Sequence, residues 1–426
     1  MILTGLDDPD ITQLVESERS RLENTLNLIA AENHAPASIL NVIGSVLNSK
    51  TIEGYPGKRF HAGCVHVDEV EKMAVERGLA LFGAEHVNVQ PHSGTSANLA
   101  VYFSVLDVGD RVLAMNLAHG GHLSHGHAAS VTGRCFTFRH YGVDPETGLI
   151  DYAQVRRMAM EFKPKMIVAG ASSYPRLIDY EQMADISRDV SAFLLVDMAH
   201  LAGLVAAGVI PSPVPYSDFV TFTGYKTLMG PRGGVILCRS PYAGKIDRTI
   251  FPGCQGTSAV NLIAAKAMIF RLAGTKEFIH IQEQTVKNAV CLANALEAQG
   301  YRIVTGGTDN HLVLVDMASK ISDGGEAEKA LESVGIIANR NVIPGDEKKP
   351  GSVSGIRFGT AAVTTRGMGE DEMREIANMV DRVLANGRDR EILEKVKAGV
   401  VALCGRFPVY KQNAAVQVDE LASDRF

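Results

Sequence analysis

Apolar and polar positions along this chain follow two different periods. From Val87 to Leu237, short, mostly apolar runs recur: Arg111–Met115, Met166–Tyr174 with its polar turn, Ala192–Val196, Phe219–Phe222 and Val235–Leu237. Runs this short, bounded by Gly, Ser, Asn and His, read as buried strands. Val87–Asn98 joins one more short strand to a helix. Strand, helix, strand in repetition predicts a mainly parallel sheet covered by helices. Helical spacing surrounds this block. Asp10–Ile29 reads as a helix through Leu14, Val15, Leu22, Leu26 and Ile29, and Val67–Phe82 through Val70, Met73, Ala74, Leu79 and Phe82. Ser258–Leu272 and Phe278–Gln299 read as long helices. From Tyr301 the pattern changes. Ile303-Val304 and His311–Asp316 read as strands, Gly325–Val334 as a helix, and Arg357–Thr360 ends a short segment. Glu370–Leu384 and Asp389–Phe407 close with helices. The expected organisation is an N-terminal arm over 1–40, a large α/β domain over 41–275, and a smaller α+β domain over 276–426. An arm of this kind packs on a neighbouring subunit.

Composition narrows the function classes. With 426 residues, 46% hydrophobic and 21% charged, the chain has the make-up of a globular enzyme with a large core. A net charge of -6 gives no reason to expect nucleic acid. Lys163-Pro164-Lys165 and Glu347-Lys348-Lys349 are too short to change that and read as solvated loops. The six cysteines form no C-x-x-C pair, so neither a metal site nor a disulfide framework is expected. A reducing cytoplasm fits that usage. Met1–Asp8 has neither the basic region nor the apolar core of a signal peptide. No apolar run approaches the ~20 residues that span a bilayer.

Candidate chemistry gathers at the ends of the predicted strands. Lys226 stands between apolar Phe219–Phe222 and the glycine-rich Gly230-Pro231-Arg232-Gly233-Gly234. A lysine held there is desolvated, which frees its amine to attack a carbonyl. Asp197 ends the run Ala192–Val196, where α/β sheets place ligands. Buried, it needs a cationic or donor partner, such as a protonated ring nitrogen; a helix cap for Ala199–Ala207 is the alternative. Ser93-Gly94-Thr95-Ser96 offers backbone N–H groups and hydroxyls at a helix N-terminus, a physical phosphate cradle. It is neither a Walker loop nor G-x-G-x-x-G. His119, His122, His125 and His127 suggest a metal, but without H-E-x-x-H or cysteine support a flat ring from His122 stacking on a cofactor is preferred. Glu53–Cys64 packs a carboxylate, a tyrosine, an arginine and a histidine into one glycine-rich loop, which points to function. Arg357 could pair with a substrate carboxylate or form a surface ion pair. A phosphorylated pyridine aldehyde uses a lysine, a buried acid, a phosphate cradle and a flat histidine together.

These stretches resemble the serine hydroxymethyltransferase family from about Leu28 to Tyr410. The motifs are Glu53–Arg59, Val89–Gly94, Asn116–Leu123, Val196–His200, Lys226–Leu228 with Gly230–Gly234, and Gly306–His311. The resemblance implies a fold-type I pyridoxal-phosphate transferase, with a mainly parallel seven-stranded sheet in its large domain. It implies pyridoxal 5'-phosphate in a Schiff base on Lys226, Asp197 on the pyridine nitrogen, His200 near the cofactor hydroxyl and His122 stacked on the ring. The implied cofactor set is Thr51, Ser93, Gly94, Thr95, His122, Ser172, Asp197, His200, Thr223, Lys226 and Thr257. Arg357 matches the substrate-carboxylate arginine, and Glu53 the carboxylate that handles protons at the substrate hydroxyl. Leu117, Gly121, Leu123 and Asn341 match folate-contacting positions for tetrahydrofolate as co-substrate. A homodimer with shared sites is implied, with Glu53, Tyr55 and Thr257 coming from the partner chain.

The chain also departs from the family pattern. Ala31 replaces Ser, Thr51 replaces a tyrosine, and Phe60 and His61 replace paired tyrosines. Phe222, Thr223, Gly224 and Tyr225 replace a run of threonines and a histidine, and Gly256-Thr257-Ser258 replaces Gly-Gly-Pro. His61 puts a base that titrates near neutrality where a phenol is usual. The expected activity is Cα–Cβ cleavage of a β-hydroxy-α-amino acid, with Glu53 or His61 moving the hydroxyl proton. Serine with tetrahydrofolate is the ordinary reaction. The departures raise a folate-independent α-methylserine aldolase or a threonine transaldolase as the near alternative. A catalytically silent cofactor-binding protein is the alternative from another class.

Overall fold

The seven strands of the larger sheet lie in the order His86–Asn88, Gly234–Cys238, Phe219–Thr223, Phe193–Asp197, Met166–Ala169, Arg111–Met115, Thr137–Tyr141. In this computed structural model, residues 8–318, 320, 323–346, 353–387 and 389–410 are described. The basic cluster at 347–349 and the first seven residues lie outside them. Gly234–Cys238 runs antiparallel to both its neighbours, and the other pairings are parallel. Met166–Ala169 and Phe219–Thr223 are buried at every residue, as strands covered on both faces must be. The strand period of two splits side chains between two apolar layers. Leu113 and Met115 enter one core with Ala74, Phe82, Ile263 and Phe270, while Val112 and Ala114 enter another with Ala97, Tyr102 and Phe136.

A second sheet carries Arg302–Ile303, Leu312–Asp316, Gly355–Gly359 and Asn339–Asn341, all antiparallel. Its core joins Val313 and Phe358 to Leu292, Ile376 and Val400 of the surrounding helices. Leu26 and Leu28, from the N-terminal segment, are fully buried in this second core.

Several expectations need correction. The first helix is Pro9–Asn24, not Asp10–Ile29. Asp8 caps its start, and from Leu26 the chain is extended, pairing Leu26 with Ile336 and Asn27 with Ile337. Leu26 matched the helical spacing, yet a parallel strand partner decides its conformation. The helix over Val65–Phe82 turns Glu71, not Met73, inward: Met73 is 42% exposed, and Glu71 is buried against the Arg59 guanidinium at 2.6 Å. Thr137–Tyr141 is a strand whose alternating polar residues gave no apolar run. The helix expected over Ala199–Ala207 is confined to Ala202–Ala206.

Arg366 ties the chain's two ends together. It is buried, and its guanidinium donates to the carbonyls of Thr25 (2.9 Å), Glu23 (2.9 Å), Cys404 (3.0 Å) and Phe407 (2.7 Å). These oxygens lie at the C-terminal ends of Pro9–Asn24 and Arg390–Arg406, where helices leave carbonyls unpaired and favour a cation. Arg366→Met leaves several buried acceptors without donors and is expected to cost about 3 kcal/mol or more. Urea denaturation measures this; a midpoint equal to wild type would refute it.

Candidate active site

Lys226 follows the strand Phe219–Thr223 and is 6% exposed. Burial, opposed by Asp197 and assisted by Arg357, lowers its pKa to about 8. The amine therefore gives up its proton far more readily than a solvated lysine does. The loop around it is fixed by backbone contacts: Met229 N–H donates to Lys226 O at 3.0 Å and Gly230 N–H to Gly224 O at 2.7 Å. Asn33, from the N-terminal segment, donates to Lys226 O at 3.1 Å.

Asp197 ends the strand Phe193–Asp197 and faces the same cleft. Asn98 Nδ2 donates to Oδ2 at 2.9 Å, His125 Nε2 lies 3.1 Å from the same oxygen, and Ala199 N–H donates to Oδ1 at 3.0 Å. Burial pushes its pKa up, but His125 and Asn98 overcome that and hold the carboxyl well below the usual range. His125 Nδ1 meets the Tyr102 hydroxyl at 2.9 Å, and burial keeps that phenol protonated. The ionised carboxylate only accepts, so His125 carries a proton on Nε2, facing it.

His122 is held by Ser124 Oγ at 2.7 Å from Nδ1, and burial lowers its pKa to about 4, so its ring is neutral. His200 is buried, and its Nδ1 lies 3.4 Å from His311 Nε2, which also sits 3.1 Å from the Ala30 carbonyl. A carbonyl only accepts, so His311 carries its proton on Nε2. His200 Nδ1 is then the acceptor, so the neutral His200 ring, which lines the cleft, carries its own proton on Nε2. Burial holds both rings neutral.

Ser93 caps the helix Gly94–Val105, accepting from Ser96 N–H at 3.0 Å. Ser93, Gly94 and Thr95 line the cleft. A Cβ at Gly94 would come within 2.6 Å of Thr223 Cγ2, so only glycine lets strand and helix approach here. Thr223 Oγ1 is buried at the cleft with no hydrogen-bond partner. Ser172 lines the cleft, and its carbonyl accepts from Arg357 Nη1. Arg357, half-buried on the second sheet, also donates to Asn339 Oδ1 at 3.1 and 3.2 Å. It makes no ion pair among the described residues, which argues against a surface salt bridge. Burial lowers its pKa to about 10.

Arg357 reaches the wall of this cleft through the Ser172 carbonyl without lining it, and of the other expected cofactor and substrate residues four do not line it: Thr51, Glu53, His61 and Thr257. They gather instead beside it. Ile52 N–H donates to Thr257 Oγ1 at 2.7 Å, a Cβ at Gly256 would sit 3.8 Å from Glu53 Oε1, and His61 is exposed. Of the folate positions, Leu117 and Leu123 are 44% and 52% exposed. Asn341 donates to Ser173 Oγ at 3.2 Å, and Gly121 lies on the loop that packs against Ser173 through Gly120.

A family model described as Serine hydroxymethyltransferase matches residues 5–380. The chain belongs to that family. Serine hydroxymethyltransferases are pyridoxal-phosphate-dependent transferases of fold type I, and the mostly parallel seven-stranded sheet agrees. The residues present fit such a cofactor. The unpartnered Thr223 hydroxyl and the open N-terminus of Gly94–Val105 suit an anion, and the ionised Asp197 suits a protonated ring nitrogen. His122, His125 and Asp197 also present donor atoms within 4.8 Å of one another, a set that a metal ion could use. His125 and Asp197 already satisfy each other at 3.1 Å, so a cation there would have to displace that contact.

Sequence reasoning gave Asn98 and Tyr102 no role, weighed His125 only as a metal ligand, and named Tyr225 and Arg232 only within motifs. Asn98 lies four residues after Gly94, one turn further on the same helix face, which is the signal that was available. Tyr225 and Arg232 line the cleft together, with the guanidinium 4.5 Å from the ring centroid.

The low pKa of Lys226 predicts a stability effect in the cofactor-free protein. Between about pH 8 and 10.5 the unfolded chain binds more protons at this lysine, so stability rises with pH across that window. Lys226→Met removes the buried amine. Its expected gain, on the order of 3 kcal/mol below pH 8, shrinks to nothing above pH 10.5. Denaturant melts at pH 7 and pH 10.5 test this, and a variant no more stable than wild type at pH 7 would show the amine to be solvated.

Proposed function

We propose that this protein cleaves the Cα–Cβ bond of a β-hydroxy-α-amino acid, serine or an α-methylserine-like compound. The one-carbon unit passes to tetrahydrofolate or leaves as formaldehyde. The observation that carries this reading is a buried Lys226 amine of lowered pKa in one cleft with an ionised, triply held Asp197. Pyridoxal phosphate, carried on Lys226, supplies an electron sink for the pair left on Cα.

The chain's own groups supply the rest. Arg357 has no acid partner among the described residues and orients a substrate carboxylate. Asp197 keeps a ring nitrogen protonated, and His200 presents an Nε2 proton to a ring hydroxyl. His122, neutral and flat, stacks without adding charge. Ser93, Gly94, Thr95 and Thr223 form the phosphate side, and Ser172 lines the same cleft beside Arg357. Glu53 or His61 takes the proton from the substrate hydroxyl, and Leu117, Gly121, Leu123 and Asn341 form the folate side.

Because Thr51, Glu53, His61 and Thr257 stand outside the cleft of their own chain, we read the active unit as a homodimer in which each chain completes its partner's site. Uncovered apolar side chains support that reading: Phe60, Val65 and Val46 are 75%, 74% and 86% exposed, and Ile11, Leu14 and Val15 lie open on the first helix. The division into an arm over 1–40, a large domain over 41–275 and a small domain over 276–426 belongs to the same proposal, with the cytoplasm as its site of action.

The altered rim favours a second reading. Tyr225, one of the departures, lines the cleft next to Lys226, and Phe60 and His61 stand where the family pattern has paired tyrosines. This points to the same bond cleavage on an α-methylated substrate or on threonine, without folate.

Borohydride reduction and peptide mapping should label Lys226; label elsewhere would end the proposal. Serine, α-methylserine and threonine cleavage, each measured with and without tetrahydrofolate, separates the two readings. Strict folate dependence with serine alone as a good substrate would eliminate the second.

For the shared site, Lys226→Ala and Glu53→Gln should each be inactive alone. Mixing and reassembling them should restore about a quarter of wild-type activity, the share of intact sites in randomly paired dimers. No recovery from reassembled dimers would place Glu53 in its own chain's site.

A further inference from the structure

A second lysine is buried where the reaction does not need one. Lys266, on the helix Val260–Leu272, is 2% exposed. Its Nζ donates to the carbonyls of Val89 (2.6 Å), Gly234 (2.9 Å) and Pro91 (3.3 Å). Three acceptors require three N–H bonds, which only the ammonium form offers; a neutral amine would turn its lone pair on one of them. Burial works against that charge and lowers the pKa to about 7. Lys266 makes no ion pair among the described residues. Glu71, the acid whose field it feels, is hydrogen-bonded to Arg59 and Gln90. An apolar side chain of similar length would leave these carbonyls without a donor, but an uncharged donor could serve them at a smaller desolvation cost, so hydrogen bonding alone does not explain a charge here.

The carbonyls it holds belong to the wall of the cleft. Val89–Pro91 leads into the cradle at Ser93–Thr95, and Gly233-Gly234 closes the turn after Lys226. Gly234 N–H donates to Pro91 O at 2.9 Å, so the two segments touch. Gly233 lines the cleft, and a Cβ there would lie 2.8 Å from Lys266 Cε. The ammonium thus stands one layer behind the surface that faces an anion. The N-terminus of Gly94–Val105 and the buried, unpartnered Thr223 hydroxyl mark where that anion sits.

We propose that Lys266 is a buried counter-charge for the phosphate of the cofactor, a positioning residue that raises affinity for the anion through Val89–Gly94 without touching it. The inference rests on the pyridoxal-phosphate reading of this site. A charge in a low-dielectric interior acts across one layer of backbone far more strongly than it would in water.

The test uses cofactor-free, full-length protein and three probes: pyridoxal phosphate, pyridoxal and inorganic phosphate. In Lys266→Met and Lys266→Gln, affinity for both phosphate-bearing probes should fall about tenfold or more, while that for pyridoxal stays within about threefold. Lys266→Gln keeps hydrogen-bond donors but not the charge, so it separates the two contributions. Equal losses for all three probes, or an unchanged preference for phosphate, would overturn the proposal by making Lys266 a purely structural residue. If neither neutral variant folds while Lys266→Arg does, the charge serves the fold and the proposal fails. Wild-type protein that binds neither pyridoxal compound would instead defeat the cofactor reading itself.

Discussion

A carboxylate kept ionised inside the protein sets the terms for the rest of this structure. Asp197 ends a strand whose three preceding residues are fully buried, and removing a charge from water there costs several kcal/mol unless it is paired. Its partners therefore have to arrive in fixed positions. Asn98 comes from the helix Gly94–Val105 and is itself held by Thr221 Oγ1 at 2.5 Å and by Ser124 Oγ at 2.9 Å. His125 comes from the loop after Arg111–Met115 and is oriented by Tyr102. One charge thus fastens the strand Phe193–Asp197 to the strand Phe219–Thr223, to a helix and to a loop. The same fastening places the cradle, His122 and Lys226 around one space.

Cations in that space act on one another as well. Lys226, Arg357 and the rings of His200 and His311 share a poorly solvated region, so each disfavours a proton on its neighbours. Arg357 keeps its charge because its intrinsic pKa is highest, and the amine and the imidazoles yield. This arrangement needs both sheets, since Arg357 and His311 come from the second and Asp197 and Lys226 from the first. The N-terminal segment touches both sides, since its Asn33 donates to the Lys226 carbonyl at 3.1 Å. Ala30 accepts from His311, and a Cβ at Gly359 would fall 2.3 Å from Ala30 Cα, so the backbones there are in direct contact.

The parts legible in the sequence were those written in local pattern. Apolar runs revealed the buried strands because both faces of each are covered, and Lys226 and Asp197 stood out because each interrupts or ends such a run. Strand direction is not written there, so nothing marked Gly234–Cys238 as the antiparallel member. Thr137–Tyr141 escaped because an edge strand covered unevenly alternates polar and apolar residues. Leu26 satisfied a helical spacing and was claimed by a distant strand. Glu71 could not be read as buried, since the Arg59 guanidinium and the Gln90 amide, brought by other segments, are what make that tolerable. Lys266 was illegible for the same reason: its partners are backbone carbonyls, which carry no residue identity.

The two groups of expected site residues, separate within one chain, meet at Gln90. Its side chain donates to the Gly54 carbonyl at 3.0 Å and to Glu71 at 2.7 Å, so it anchors the loop that carries Glu53. Its own carbonyl accepts from Gln255 at 2.7 Å and Ser258 at 2.9 Å, next to Thr257. Its neighbours Val89 and Pro91 are the residues that Lys266 holds. A single extended segment therefore fixes the cradle on one side and the loop bearing Glu53 on the other. Because interiors are close-packed and yield little, a displacement at one is carried to the other. The cradle at Ser93–Thr95 and the loop bearing Glu53 are in this way parts of one packed assembly, even though the two face different spaces.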